Sequence, residues 1–316
     1  MRVTERRIER VGLSVVLAML LGCSSAPPPS EPEAATAPPA PASATPVLKA
    51  GWTVTDQIDA PESVFVDHDA GFVYASQVTG MPDGRDGTGR IVKLNFDGGV
   101  VSSDWVTGLN APKGLRACQG TLWTADLDEV IGIEVATGSI SSRLKIFGAK
   151  FLNDVACAPD GSVYVSDMMA SRIYVIKNGE ASIFADGEAL EYPNGLLVDG
   201  DVLVVGGWGK PEADFSTKVP GHLYTLNLTT KAKTLITPKP FANIDGLELD
   251  GHGGYVVSDW IAGRIYRVSK TGEATVVREF KPGTADIAFV PAGNILIVPH
   301  MNENRVAAYD VTDAMN

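Results

Sequence analysis

From residue 61 to the C-terminus, short apolar runs alternate with clusters of Gly, Asp, Asn and Pro, and the alternation itself recurs at a longer period. Six times a polar residue opens a short apolar strand, a turn follows, and a second strand returns. The openings read Pro61-Glu62-Ser63-Val64, Pro112-Lys113-Gly114-Leu115, Leu152-Asn153-Asp154-Val155, Pro193-Asn194-Gly195-Leu196, Ile244-Asp245-Gly246-Leu247 and Ala285-Asp286-Ile287-Ala288. The polar residue at the second place is Glu62, Lys113, Asn153, Asn194, Asp245 and Asp286 in turn, at spacings of 51, 40, 41, 51 and 41 residues. A period in the forties built from short strands is a β-propeller signature.

Each unit parses further. In the third, Val155 to Ala158 is followed by Ser162-Val163-Tyr164-Val165-Ser166, Arg172-Ile173-Tyr174-Val175-Ile176 and Ala181-Ser182-Ile183-Phe184. The turns Pro159-Asp160-Gly161 and Lys177-Asn178-Gly179 carry the residues that hairpins demand. The pattern predicts an all-β fold, a six-bladed propeller of four-stranded antiparallel blades. The sixth unit supplies strands at 286–290, 294–298 and 305–309 and then ends one strand short. A strand at about 52–58 pairs with it and removes the open edge. The propeller domain is thereby expected over residues 50–316. The two long spacings arise from insertions between second and third strands, Tyr74 to Arg90 and Val205 to His222. Strand order puts these loops on the face that carries the six phase residues, at the mouth of the axial channel.

Composition narrows the partners. The chain is 45% apolar and 20% charged, enough for a sizeable core. Its net charge of -12 argues against nucleic acid, whose recognition needs clustered Lys and Arg. Residues 1–22 have a basic start (Arg2, Arg6, Arg7, Arg10) and an apolar stretch of signal-peptide length. They run into Leu20-Leu21-Gly22-Cys23, which resembles a bacterial lipobox with Cys23 as the lipidated residue; an ordinary signal peptide is the other reading. Ser24 after the Cys implies the outer membrane, facing the periplasm. Residues 23–49 read as the lipid-bearing Cys and a Pro/Ala-rich spacer, too poor in large apolar groups to fold. Cys118 and Cys157 fall late in the first strands of adjacent units. An exported compartment permits a disulfide between them, but two buried free thiols are the expectation.

Six blades place the phase residues in a ring. Glu62, Asn153, Asn194 and Asp245 converge there as two carboxylates and two amide oxygens, a donor set that suits a hard divalent cation such as calcium. Asn and Asp before a strand are also routine turn formers, but Glu62 before Ser63 has no turn rationale. With these residues and the local motifs Pro193-Asn194-Gly195 and Ile244-Asp245-Gly246, the chain from about Trp52 resembles the senescence marker protein / gluconolactonase (regucalcin-like) family of calcium-binding propellers. More distantly it is similar to diisopropyl fluorophosphatase and the paraoxonases. The resemblance implies Glu62, Asn153, Asn194 and Asp245 as ligands of a catalytic cation, Ca2+ or another divalent ion. It also implies metal-assisted hydrolysis of a lactone or ester, with Asp245 as base or nucleophile. Two positions depart from it. Phe151 stands where gluconolactonase-type members carry a sugar-binding Arg, and Lys113 where paraoxonases carry a catalytic His.

Lys113 either neutralises a product carboxylate or pairs with Asp286. Trp208, Trp260 and His300 follow second strands on the site face and either line a small-molecule pocket or pack the rim. His68 and His252 fall on the opposite face. A different reading is a non-catalytic ligand- or protein-binding propeller, because Ser171-Arg172-Ile173-Tyr174, Gly263-Arg264-Ile265-Tyr266 and Asn304-Arg305-Val306 are similar to NHL-type repeats.

Overall fold

The computed structural model describes residues 47–315, so the leader, Cys23 and the spacer up to residue 46 lie outside the described residues. Six four-stranded antiparallel sheets follow one another along the chain. Blade 3 comprises Leu152–Cys157, Val163–Asp167, Arg172–Lys177 and Glu180–Asp186, matching the parse of the sequence to within two or three residues at each end. The first strand of every blade touches the first strands of its neighbours, so these strands form the inner ring. No helix among the described residues is long and apolar enough to cross a membrane.

The core lies between blades. Six clusters of buried side chains each draw on two neighbouring sheets, as when Tyr164, Ile173 and Phe184 of blade 3 pack on Leu196, Leu203 and Tyr224 of blade 4. Such packing follows from the alternation: both faces of a blade are covered by its neighbours, so residues of either parity are apolar. At the axis the inner strands approach so closely that a side chain is excluded. A Cβ on Gly114 would lie 2.1 Å from Asp154 Oδ1, and one on Gly246 would lie 2.3 Å from the Ile287 nitrogen.

Closure differs in detail from the expectation. The strand that completes blade 6 is Thr53–Val54, shorter than 52–58, paired with Val306 and Ala307. The segment after it turns away at Gln57, whose φ is 61°. Leu48, placed in the spacer by composition, is buried with Val54, Val64 and Ile297 between blades 6 and 1, and the Lys49 amide donates to Phe96 O at 3.0 Å. The inner strand of blade 6 is Ala288–Val290 and does not include Asp286. Instead the Asp286 backbone makes a parallel bridge to Ser63: its amide donates to Glu62 O at 2.9 Å and its carbonyl accepts from Val64 N at 3.1 Å. Blades 6 and 1 are thus joined at the axis as well as at the rim.

Cys118 and Cys157 are disulfide-bonded, contrary to the expectation of free thiols. They end the inner strands Pro112–Cys118 and Leu152–Cys157, and the ring brings their Cα atoms to 6.2 Å, within bridging reach.

Candidate functional site

The inner strands of blades 1 to 5 share one irregularity where they start. Pairing with the second strand slips between Pro61 and Ser63, Pro112 and Leu115, Leu152 and Val155, Pro193 and Leu196, and Ile244 and Leu247. The phase residue falls inside the slip and leaves the ladder, as in a β-bulge that re-aims a side chain. Hydroxyl groups of the second strand take up the amides left over. Ser76 Oγ accepts from Ser63 N, Ser166 Oγ from Asp154 N and Ser258 Oγ from Gly246 N, at 3.0, 2.8 and 2.7 Å.

As a result Glu62, Lys113, Asn153, Asn194 and Asp245 line one cavity of about 300 Å³ at the axis. All five are buried. Its walls are apolar: Val78, Phe151, Met168, Trp208, Phe215, Trp260, Ile261 and Met301 surround the mouth. Both insertions reach it, the first through Pro82 and the second through Asp214, Phe215 and Ser216. The indole of Trp208 donates to Phe215 O at 3.1 Å, and its ring lies 6.2 Å from that of Trp260.

The floor of this cavity is electrostatically unbalanced. Asn194 Nδ2 donates to Asp245 Oδ1 at 2.9 Å, which leaves Asn194 Oδ1 facing the site with no partner. Glu62 Oε2 is likewise buried and unpartnered. Burial, then the neighbouring Asp245, raises the Glu62 carboxyl well above its ordinary range. Burial and Asp154 push Asp245 up to about 8. Burial pushes Lys113 down to about 8 against the pull of Glu62.

Lys113 donates to Pro82 O at 3.0 Å and to Ala111 O at 2.9 Å and lies 4.5 Å above the Phe151 ring. It therefore ties the first insertion to the floor, and of the two alternatives for Lys113 the pairing with Asp286 does not form. Asp286 sits below the cavity, where its carboxylate accepts from Ser63 Oγ. His300 also stands apart from the cavity. Its ring packs on Phe280, its Nε2 is 3.0 Å from the Tyr309 hydroxyl, and burial pushes it down to about 4, so it is neutral rim packing. His68 and His252 are exposed.

Beneath the ring lies a layer the sequence reading did not assign. Arg116 pairs with Glu248 at 2.8 Å on the axis, and Asp154 accepts from Leu196 N at 2.6 Å. Burial drives Asp154 up to about 7. The signal was available: Arg116 and Glu248 each fall three places after a phase residue. Five axial carboxylates, Glu62, Asp154, Asp245, Glu248 and Asp286, thus face two cations, Lys113 and Arg116. Burying carboxylates in such excess is costly unless protons or a cation compensate them. Among the described residues no three His, Cys, Asp or Glu side chains gather as a metal-binding group. The donor set that fits a divalent ion is mixed: carboxylates of Glu62 and Asp245 and amide oxygens of Asn153 and Asn194.

No protein-family model and no curated protein matches the chain. Solved structures share its fold. A catalytically inactive virginiamycin B lyase from Staphylococcus aureus with quinupristin has a TM-score of 0.56 at 14% identity, covering 81% of this chain and 97% of that one. A streptogramin B lyase has 0.54 at 12%, covering 81% and 95%. A chain of a nidogen/laminin complex has 0.60 at 14%, covering 72% and 88%. At these identities the likeness establishes the propeller fold alone.

Proposed function

We propose that the protein is a divalent-cation-dependent hydrolase, with calcium as the cation, acting on a lactone or ester that has an apolar body. The reading rests chiefly on two buried oxygens, Glu62 Oε2 and Asn194 Oδ1, which lack partners at the floor of an apolar cavity. With Asn153 and Asp245 they would hold the ion, and when bound it would polarise the substrate carbonyl and stabilise the developing oxyanion.

The remaining steps belong to the chain's own groups. Phe151, Trp208, Phe215 and Trp260 exclude water and hold the apolar body. Asp245 takes the proton of the attacking water, or attacks the carbonyl carbon itself. Lys113 offers its ammonium to the product carboxylate. Phe151 in place of a sugar-binding Arg favours an apolar substrate over a sugar lactone. The resemblance to the regucalcin-like family supports the ligand set. The disulfide and the leader pattern support a periplasm-facing, lipid-anchored place in the cell envelope.

The second reading is a non-catalytic binding propeller, because this fold hosts both lyases and a chain of a protein–protein complex. Assay of the full-length chain against lactones and aryl esters, with calcium and with chelator, separates the two. Turnover that chelation abolishes and Asp245→Asn lowers at least a hundredfold is the expected result. Melting and hydrolysis both indifferent to chelation would sink the cation reading. A melting shift with wild-type turnover in Asp245→Asn would remove Asp245 from the chemistry.

A further inference from the structure

In blades 1, 2, 3 and 5 the last residue of the second strand pairs with the residue just before the phase position and presents a polar side chain to the loop ahead of it. In blade 6 the corresponding residue, His300, lies opposite Thr284 and bonds Tyr309. In blade 2 the strand-end residue is Asp126, opposite Pro112, accepting from the amides of Asn110 and Ala111 at 2.9 and 2.8 Å. In blade 3 it is Asp167, opposite Leu152, accepting from Lys150 and Phe151, both at 2.9 Å. In blade 1 Gln77, opposite Pro61, accepts from Asp59 N at 3.0 Å, and in blade 5 Asp259 stands opposite Ile244.

Blade 4 breaks the rule. Opposite Pro193 stands Gly207, which has no side chain to hold the loop before Asn194. The space is filled from another direction. The Glu191 carboxylate lies against Gly207, with Oε2 3.2 Å from the position a Cβ there would take. Glu191 Oε2 accepts from His222 N at 2.9 Å and contacts His222 Nδ1 at 2.8 Å, while Oε1 accepts from Lys233 Nζ at 2.6 Å. The turn it secures is strained: Glu191 and Tyr192 are consecutive non-glycine residues with φ of 57° and 56°. Left-handed backbone in two successive side-chain-bearing residues persists only where surroundings enforce it. The carbonyls of these two residues accept from Gly209 N and Trp208 N at 2.9 and 3.0 Å. One turn therefore sets both Asn194 on the floor and Trp208 in the wall.

We infer that Glu191, clamped by His222 and Lys233, is a positioning residue that replaces the missing strand-end carboxylate of blade 4 and fixes Asn194 and Trp208 in the site. Its bearing on cation affinity rests on the function proposed above; its bearing on the turn does not.

The test uses the full-length chain, terbium(III) as luminescent probe of the floor, and amide hydrogen exchange over residues 191–197 and 206–212. Glu191→Gly suits the left-handed backbone but removes the clamp. It should weaken terbium binding about tenfold to a hundredfold, the range for loss of an outer-shell partner, and speed exchange in both segments. Adding Gly207→Asp places a carboxylate where blades 2, 3 and 5 carry one and should recover most of both losses. Wild-type affinity and exchange in Glu191→Gly would overturn the inference. So would losses that Gly207→Asp leaves untouched while melting falls globally, since that marks a general stability defect. A wild-type chain that binds no terbium counts against the cation alone, and the exchange comparison then decides the role of Glu191.

Discussion

At the scale of single residues, the site is a contest between burial and charge. Glu62 and Asp245 share one buried floor, where Asp245 raises the proton affinity of Glu62, and Asp154 that of Asp245, on top of what burial does. Such an arrangement destabilises the fold for the sake of a ligand, so function and stability should part company when it is relieved. In chelator at pH 8, Asp245→Asn keeps an oxygen for Asn194 Nδ2 while removing one buried charge. It should raise the melting temperature by roughly 3–6 °C, as about 1–2 kcal/mol does in a domain of this size. In excess calcium the order should reverse, because only the wild type gains the ligand's stabilisation. Calorimetry with and without calcium measures both arms; a variant that melts lower than wild type in chelator contradicts the account of a strained floor.

At the scale of elements, the phase residues and both insertions were legible in the sequence because a repeat fixes phase, and phase fixes face. What stayed hidden depends on contacts across the repeat. Asp286 shares the phase of Asp245, yet its strand starts later, because its backbone is taken by blade 1 and its carboxylate by Ser63. Phe215 lies in an insertion whose length was plain but whose path depends on the Trp208 indole. Gly207 reads as an ordinary turn glycine until its register opposite Pro193 is known.

His300 shows the same lesson with a measurable consequence. Its phase suggested the pocket, but Phe280, Tyr309 and Arg305 enclose it in blade 6. Its folded value of about 4 lies below the ordinary 6.5, so the unfolded chain binds more protons between those values. The stability that neutral His300 contributes is complete above pH 6.5 and is lost as pH falls toward 4. Urea denaturation across that window should show a steeper acid loss in wild type than in His300→Gln. Parallel slopes would mean that the ring is not held neutral.

At the scale of the whole molecule, a propeller is a ring whose weakest junction sets its resistance to opening. Blades 6 and 1 are joined by the two-residue strand Thr53–Val54, by Leu48 in the shared core and by the parallel Asp286–Ser63 bridge at the axis. Blades 2 and 3 carry the disulfide across a sequence separation of 39. On the chain-entropy account, a loop of that length is worth about 4 kcal/mol of unfolded-state constraint. The bond lies at the Cys118 and Cys157 ends of the inner strands, whereas Lys113 and Asn153 at their beginnings reach the cavity. Losing the bond should therefore loosen the ring without dismantling the floor. Cys118→Ser/Cys157→Ser, or reduction of the native chain, should lower the melting temperature by roughly 5–12 °C and leave terbium affinity within about twofold. An unchanged melting temperature would show that the junction is already held by its apolar packing. A large loss of terbium affinity would show that the floor depends on the spacing of blades 2 and 3 and that the two ends of the inner strands are mechanically coupled.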